Sequence, residues 1–454
     1  MTSSPTTALL TDMYELTMVD AALASGVANR QSVFELFGRR LPPARRFGVV
    51  AGCARILEAL ERFTFDSDDI DYLHRQKIVS DDALDYLRTY QFTGDIMGYR
   101  EGECYFENSP LLTVRGTFAE AVVLETLALS ILNYDCAVAS AASRVTIASH
   151  GRPCMDMGAR RTHERSAVSA ARAAFIGGFA GTSNLEAGKR YGIPTIGTSA
   201  HSFTLIHDDE EAAFRSQVAK MGPGTTLLVD TYNVERGVER AVAIAREAGG
   251  ELGAVRLDSG DLVAQAFKVR EQLDSLGAKT TKITVTNDLD EYAIASLGAA
   301  PVDSYGVGTK LVTGSGIPTA ALVYKLVQYD DEDGVRHDVA KKSASKQTVG
   351  GLKYAGRAIG EDGYATEELI VVADDADQAA QVFEAEGARP LQVIYVKDGQ
   401  IDRSFMGPQA LLDAQAHHVR SRNELPYSGW RLSAGEPAIP TRYIDAANRP
   451  DKTE

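Results

Sequence analysis

Cysteine is scarce in this chain. The 454 residues hold four, Cys53, Cys104, Cys136 and Cys154, far apart, with no C-x-x-C pair and no Cys/His spacing of a zinc site. A disulfide framework is thereby excluded, and reduced thiols in a cytoplasmic protein are expected. Positive charge is also short. There are 47 Lys and Arg against 62 Asp and Glu, a formal net charge of −15. That balance argues against non-specific binding to nucleic acid or to an anionic membrane. It leaves room for small anions, because a local cluster of Arg, Lys and backbone N–H groups overrides the global sign. Long apolar runs are missing too. The best candidate, "AEAVVLETLALSILNYDCAVA", is broken by Glu120, Glu125, Asn133 and Asp135, short of the ~18 uninterrupted apolar residues that suggest a membrane span. It reads as a buried amphipathic helix. The beginning, "MTSSPTTALLTDMYELT", has neither a basic stretch nor an apolar core, so no secretory signal is expected there. No segment is of low complexity.

What is present is the composition of a globular enzyme, 44% hydrophobic and 24% charged. The length suggests roughly two or three domains. In the first 140 residues helices and short strands mix. "LTDMYELTMVDAALASG" reads as a helix stopped by Gly26, "QSVFELFGRRLP" as a strand into a turn, and "GCARILEALERF" and "SDDALDYLRTYQF" as helices. From about Asp156 a strand–joint–helix plan repeats in "TTLLVDTYNVERGVERAVAIAREAGG", "LGAVRLDSGDLVAQAFKVREQLDSLGA" and "TKITVTNDLDEYAIASLGA", and "VDSYGVGTKLVTGSG" opens a fourth unit. The strand centres fall about 20 to 30 residues apart, as in parallel βαβ units. With "IPTIGTSAHSF" upstream, a (β/α) barrel is the natural closure, and an open doubly wound sheet is the competitor. After Pro318 the pattern turns to strands, with a hairpin around Asp331 to Gly334 in "ALVYKLVQYDDEDGVRHDVAKKSAS" and further strands in "EELIVVADD" and "LQVIYVKDGQI". The proline-bearing tail from Ala416 is expected to wrap the surface. The expected division is residues 1–140 as an N-terminal α+β domain, 141–320 as a catalytic α/β barrel, and 321–454 as a β-rich segment with that tail.

The polar residues of the repeats share one location. Asp230 follows "TLLV"; Arg256, Asp258 and Asp261 follow "LGAV"; Asn287 and Asp288 end "ITVTN"; Gly306, Gly308 and Thr309 end "VDSYG"; Thr198 and His201 follow "PTIG". All lie just past a predicted strand, at the rim where parallel barrels build active sites. One such residue is ordinary helix capping, and Asp258 and Ser259 taken singly fit N-caps equally well. Five groups in succession point to a site. "YGVGTKLVTGSG" lacks the Walker spacing, but its glycines suit a phosphate held by backbone N–H groups. Arg160 and Arg161 read either as a solvated pair or as grips for a carboxylate or phosphate. A histidine among hydroxyls, His201 beside Thr198, Ser199 and Ser202, reads either as a surface residue in a polar turn or as a reactive imidazole.

Taken in order, "LLTDMYELTM", "GARRTHERSAVSAARAAFIGGFAGTSN", "GTSAHSF", "VDTYNV", "VRLDSGDL" and "YGVGTKLVT" resemble the nicotinate phosphoribosyltransferase family, over Leu9 to about Arg357. The resemblance implies an irregular (β/α) barrel of the type II phosphoribosyltransferase kind, with a flanking α+β domain formed by the N-terminal region and C-terminal strands. It implies transfer of phosphoribosyl from phosphoribosyl pyrophosphate to nicotinate, giving nicotinate mononucleotide and pyrophosphate, with ATP as co-substrate and Mg2+ as cofactor. It implies a homodimer with shared active sites. By position, His201 would be phosphorylated by ATP, and Tyr14 would reach the neighbouring subunit's site and stack on the pyridine ring. Arg256 and Thr198 would hold nicotinate. Thr309 and Gly308 would hold the 5-phosphate of the sugar, Asp258 would sit by the ribose, and Arg160 would face base or phosphates. Asn287 joins the substrate-binding set, and the Mg2+ ligands stay open. The nicotinamide-using relatives carry an aspartate in the segment that resembles "GTSN", where this chain has Ser183 and Asn184, so the anionic acid is the expected substrate. The alternatives are a transferase acting on nicotinamide or quinolinate, and a catalytically silent barrel that binds nucleotides.

Overall fold

The computed structural model describes residues 5–340 and 349–447. The end of the predicted hairpin segment, from Lys341, and the last residues of the tail lie outside the described residues. The chain divides into two compact units, residues 1–140 with 319–454, and residues 141–318.

The second unit is built on six parallel strands. Their order is Gly181–Thr182, Cys154–Asp156, Ser304–Val307, Lys282–Val285, Ala254–Leu257 and Thr226–Leu228. Numbered along the chain this is 2-1-6-5-4-3, the cyclic order of a (β/α) barrel opened between its second and third strands. Only a single bridge, Thr182 to Thr195, extends the sheet into that seam. The expected strand in "YGIPTIG" is therefore not a strand. Residues 194–200 run as irregular, mostly exposed chain, because the sheet offers them one bridging position and no ladder. The rest of the repeat pattern holds. Val255, Ile283 and Tyr305 are fully buried, while their neighbours Arg256, Lys282, Thr284 and Ser304 keep solvent access on the other face. That alternation is the two-residue period of strands, one face under helices and the other toward the curled sheet's interior. The helices Val234–Glu247 and Leu262–Ser275 follow their strands and are capped by Asn233 and Asp261.

The first unit carries a seven-stranded sheet in the order Arg336–Asp338, Leu322–Asp330, Gln31–Gly38, Leu112–Thr117, Asp95–Tyr99, Gln392–Lys397 and Gln400–Ile401. N-terminal and C-terminal strands interleave in it, so residues 321–454 do not stand as a separate segment. The strand Leu322–Asp330 pairs antiparallel with Gln31–Gly38, and Phe34 stacks on Tyr324 with ring centroids 5.0 Å apart. The predicted helices Met13–Ser25, Cys53–Leu60 and Asp81–Arg88 are present. Gly26 closes the first with a φ of 77°, the left-handed turn that favours glycine. The tail does more than wrap. Helix Gly407–Asn423 buries His418 and Ser421, and Thr441–Asp445 pairs parallel with Ala365–Val372. Pro426, Pro437 and Pro440 lie in the joints between these elements.

Helix 118–148 has the length and apolar composition to cross a bilayer, yet 67% of its most apolar window is buried inside the protein, as in a core helix. All four cysteines are free and buried.

Candidate active site

The interior of the curled parallel sheet is not filled. Parallel barrels ordinarily pack their interior with layers of branched side chains. Here the inward positions include Thr226, Ala254, Thr284 and Ser304, and a cavity of about 1000 Å³ remains. At the C-terminal ends of the strands its wall gathers Arg160, Ser183, Thr198, His201, Arg256 and Asp258. Residues far apart in sequence, such as Arg160 and Asp258, thus share one wall.

Each group is held from the strand ends. Arg256 sits in the strand Ala254–Leu257, its side chain 14% exposed. Its Nε donates to Thr286 Oγ1 at 3.1 Å and its Nη1 to the Ser199 carbonyl at 3.3 Å. Its Nη2 lies 3.3 Å from Asp258 Oδ1, which also accepts from the Thr286 hydroxyl. His201 opens the helix His201–Leu205. Its Nδ1 is 3.1 Å from Thr231 Oγ1, and its Nε2 is 3.8 Å from Asp258 Oδ2 and 3.9 Å from Asp230 Oδ1. Asp156, at the end of its strand, is 1% exposed. It accepts from the Thr182 hydroxyl at 2.6 Å and the Gly158 N–H at 2.8 Å, and its carbonyl accepts the Ser183 N–H at 2.8 Å. Burial pushes the Asp156 carboxyl up, and the bonds from Thr182 and Gly158 pull it partly back. Through these bonds one buried carboxyl fixes the two loops that carry Arg160 and Ser183.

The electrostatics suit an anion. Arg160 and Lys282 line the cavity with no ion-pair partner among the described residues, whereas Arg256 shares its charge with Asp258. With Asp258 and Glu251 also on the wall, Arg160, Arg256 and Lys282 leave the lining one cation in excess, in a chain of net charge −15.

Two family models cover most of the chain. The N-terminal domain of nicotinate phosphoribosyltransferase (NAPRTase) matches residues 9–133, and the nicotinate phosphoribosyltransferase (NAPRTase) family matches 153–348. Nicotinate phosphoribosyltransferase pncB1 of Mycobacterium tuberculosis (strain ATCC 25618 / H37Rv) is 52% identical over 446 residues, 96% of this chain and 95% of that one. The chain belongs to the nicotinate phosphoribosyltransferase family. A relative of that name from Bacillus subtilis is 38% identical over 81% of this chain and 76% of its own length. Among solved structures, human nicotinic acid phosphoribosyltransferase superposes with a TM-score of 0.79 at 23% identity, covering 96% of this chain and 98% of that one. Nicotinate-nucleotide pyrophosphorylase from Pyrococcus furiosus does so at 0.73 and 22%, covering 92% and 95%. These two likenesses show the fold, the α/β architecture that the motifs suggested for a nicotinate phosphoribosyltransferase.

Not every site residue inferred from the family motifs meets in the cavity. Gly308 and Thr309 follow the strand Ser304–Val307, and Asn287 follows Lys282–Val285 with a φ of 104°, but none of the three is among the cavity's lining groups. Gly306 is required by crowding, since a Cβ there would lie 2.5 Å from Thr286 Cγ2 and 2.6 Å from Met157 Sδ. Asn184 caps the helix Leu185–Tyr191 by accepting from the Ala187 N–H at 2.9 Å, so it has a structural occupation. Tyr14 lies in the other unit, on the helix Met13–Ser25, and is 45% exposed. Burial and then the neighbouring Glu125 push its phenol up to about 12, so it is a neutral hydroxyl at ordinary pH. The motif reading left out Thr231, Thr286 and the role of Asp156. A hydroxyl or acid at or just past a strand end was their only signal, and apart from Gly158 beside Asp156 their partners are 25 or more residues away.

Proposed function

We propose that this chain transfers phosphoribosyl from phosphoribosyl pyrophosphate to nicotinate, giving nicotinate mononucleotide and pyrophosphate, with ATP hydrolysis coupled through phosphorylation of His201. The observation that carries the reading is the single cavity in which His201, Arg256, Asp258, Thr198 and the unpaired Arg160 converge, in a member of this family. A guanidinium and hydroxyls suit the carboxylate of nicotinate, and the residue at 183 on the wall is a serine rather than an acid. A neutral imidazole serves as a nucleophile toward a γ-phosphoryl group. The sugar carbon passes through a cationic, oxocarbenium-like state, which the Asp258 carboxylate stabilises. Thr309 and the Gly308 backbone hold the 5-phosphate, with Asn287 beside them.

Mg2+ fits the donor chemistry. Among the described residues no three His, Cys, Asp or Glu groups cluster as a preformed metal site, and Mg2+ commonly binds through one or two carboxylates plus substrate phosphates. Asp258, 29% exposed at the cavity, is the carboxylate that would hold it. When bound, the ion neutralises charge on the pyrophosphate and on ATP. The enzyme acts as a homodimer in which the partner subunit's Tyr14 stacks on the pyridine ring. The exposure of Leu10, Met13 and Tyr14 together on the flanking unit supports an interface there. The four buried free thiols support a reducing, cytoplasmic location.

The test is pyrophosphate release from phosphoribosyl pyrophosphate and Mg2+ with nicotinate, nicotinamide or quinolinate, each with and without ATP. Activity with nicotinate that ATP raises strongly is expected, and preference for another base overturns the substrate. His201→Ala is expected to abolish ATP stimulation while leaving slow transfer. ATP turnover unchanged in that variant removes the phosphohistidine.

A further inference from the structure

Two carboxylates approach the ring of His201, and they are not equivalent. Asp258 is 29% exposed, and its Oδ1 is already engaged by Arg256 and by the Thr286 hydroxyl. Asp230 is buried, its side chain 1% exposed. Its Oδ2 accepts from the Asp258 N–H and the Ser259 hydroxyl, each at 2.8 Å. Its Oδ1 is buried with no hydrogen-bond partner among the described residues. A buried acceptor left without a donor is costly, and native sites rarely leave one idle. The ring nitrogen of His201 that faces it is Nε2, at 3.9 Å. A ring displacement of about 1 Å brings that separation to hydrogen-bond length. Catalytic hydrogen bonds are commonly long in ligand-free sites and tighten when substrate binds.

We infer that Asp230 is a positioning residue that holds His201 in the tautomer with its proton on Nε2. Nδ1, faced by the Thr231 hydroxyl, then keeps its lone pair. The same carboxylate ties down the Asp258 backbone, so one buried group sets both the imidazole and the neighbouring acid. The charged groups around the ring are Asp230, Asp258 and Arg256. Asp258 Oδ2 also faces the ring, at 3.8 Å, but on a side chain 29% exposed where water can satisfy it; among the described residues the buried oxygen without a partner at the ring is Asp230 Oδ1. The consequence for turnover rests on the phosphohistidine reading, whereas the tautomer itself does not.

Asp230→Asn separates the two roles. Its amide oxygen still accepts from Asp258 and Ser259, but an amide N–H2 now faces Nε2. The ring must then accept at Nε2 and carry its proton on Nδ1. In 15N-resolved imidazole spectra, the native protein is expected to show the Nε2–H form and Asp230→Asn the Nδ1–H form. In turnover, ATP stimulation is expected to fall by up to about 10⁴-fold, as when an orienting carboxylate is replaced by an amide, and ATP-independent transfer far less. An Nδ1–H ring in the native protein overturns the inference, as does equal proportional loss of both activities in the variant. Native enzyme that ignores ATP would instead sink the phosphohistidine reading, and the native spectrum would still decide the role of Asp230.

Discussion

Arg357 and Arg256 are two guanidiniums in two units, held in opposite ways. Arg357 is fully buried in the first unit, bonded to Glu103 at 2.6 Å, to Glu368 at 2.8 Å and to the Cys104 carbonyl at 2.6 Å. Arg389, His417 and Ser421 converge on the same Glu103. Burial alone would push the Glu103 carboxyl up. Arg357, His417 and Arg389 outweigh it and hold the carboxyl well below the usual range. Around Arg256 the ion-pair separations are longer, 3.3 Å to Asp258 and then 3.8 Å from Asp258 to His201, and the cavity is open beside them. The first arrangement leaves no room for a ligand and locks N-terminal, central and C-terminal segments together. The second is a half-made set of contacts that a substrate completes. Charge alone does not mark a site; unfinished pairing next to space does.

The largest effect expected from breaking this contrast is at Arg357. Arg357→Ala leaves Glu103 and Glu368 buried without their shared cation and should cost about 3–5 kcal/mol of stability, read by denaturant unfolding. Arg256→Ala should leave the unfolding midpoint nearly unchanged and lower kcat/KM for nicotinate by about 2–4 kcal/mol, a loss of roughly 30- to 1000-fold. If Arg256→Ala unfolds the protein and Arg357→Ala does not, the assignment of the two regions is reversed.

The third prediction concerns acid. Burial, then the nearby Arg422, lowers the His418 imidazole from 6.5 to about 3. Between those values the unfolded chain holds a proton that the folded one refuses. The contribution of His418 is therefore complete above pH 6.5 and is lost as pH falls through that window. Full titration of one such group gives a slope of about 1.4 kcal/mol per pH unit. Unfolding followed from pH 7 to 5 should show this slope in the native protein and a flatter one in His418→Gln. The smallest effect is expected at Asn184. Asn184→Ala should cost about 1 kcal/mol as a lost helix cap and leave the KM for nicotinate alone. A large change in KM would make Asn184 a ligand contact.

Much of the parallel unit was legible in the chain. Apolar runs that each end in Asp, Asn or Gly announced the strands, and their spacing announced the crossover helices. The same pattern placed Arg256, Asp258 and Thr198 at one rim, where the cavity gathers them. The strand expected before "GTSAHSF" was not there, because a strand needs a neighbour to pair with and Thr195 finds only one bridge. The helix and strand of the tail were hidden for a related reason. His418 and Ser421 read as polar until Gly102 and Glu103 meet them from more than 300 residues away.

By itself the sequence determined the elements and the chemistry available at their ends, since periodicity and capping act over a few residues. It also determined the family, through motifs in a set order. Only the tertiary structure decided where the ring of strands opens, that small inward side chains leave a cavity, and that Asp230 stands behind His201. Those depend on which distant residues share a wall, and local chain physics carries no record of that.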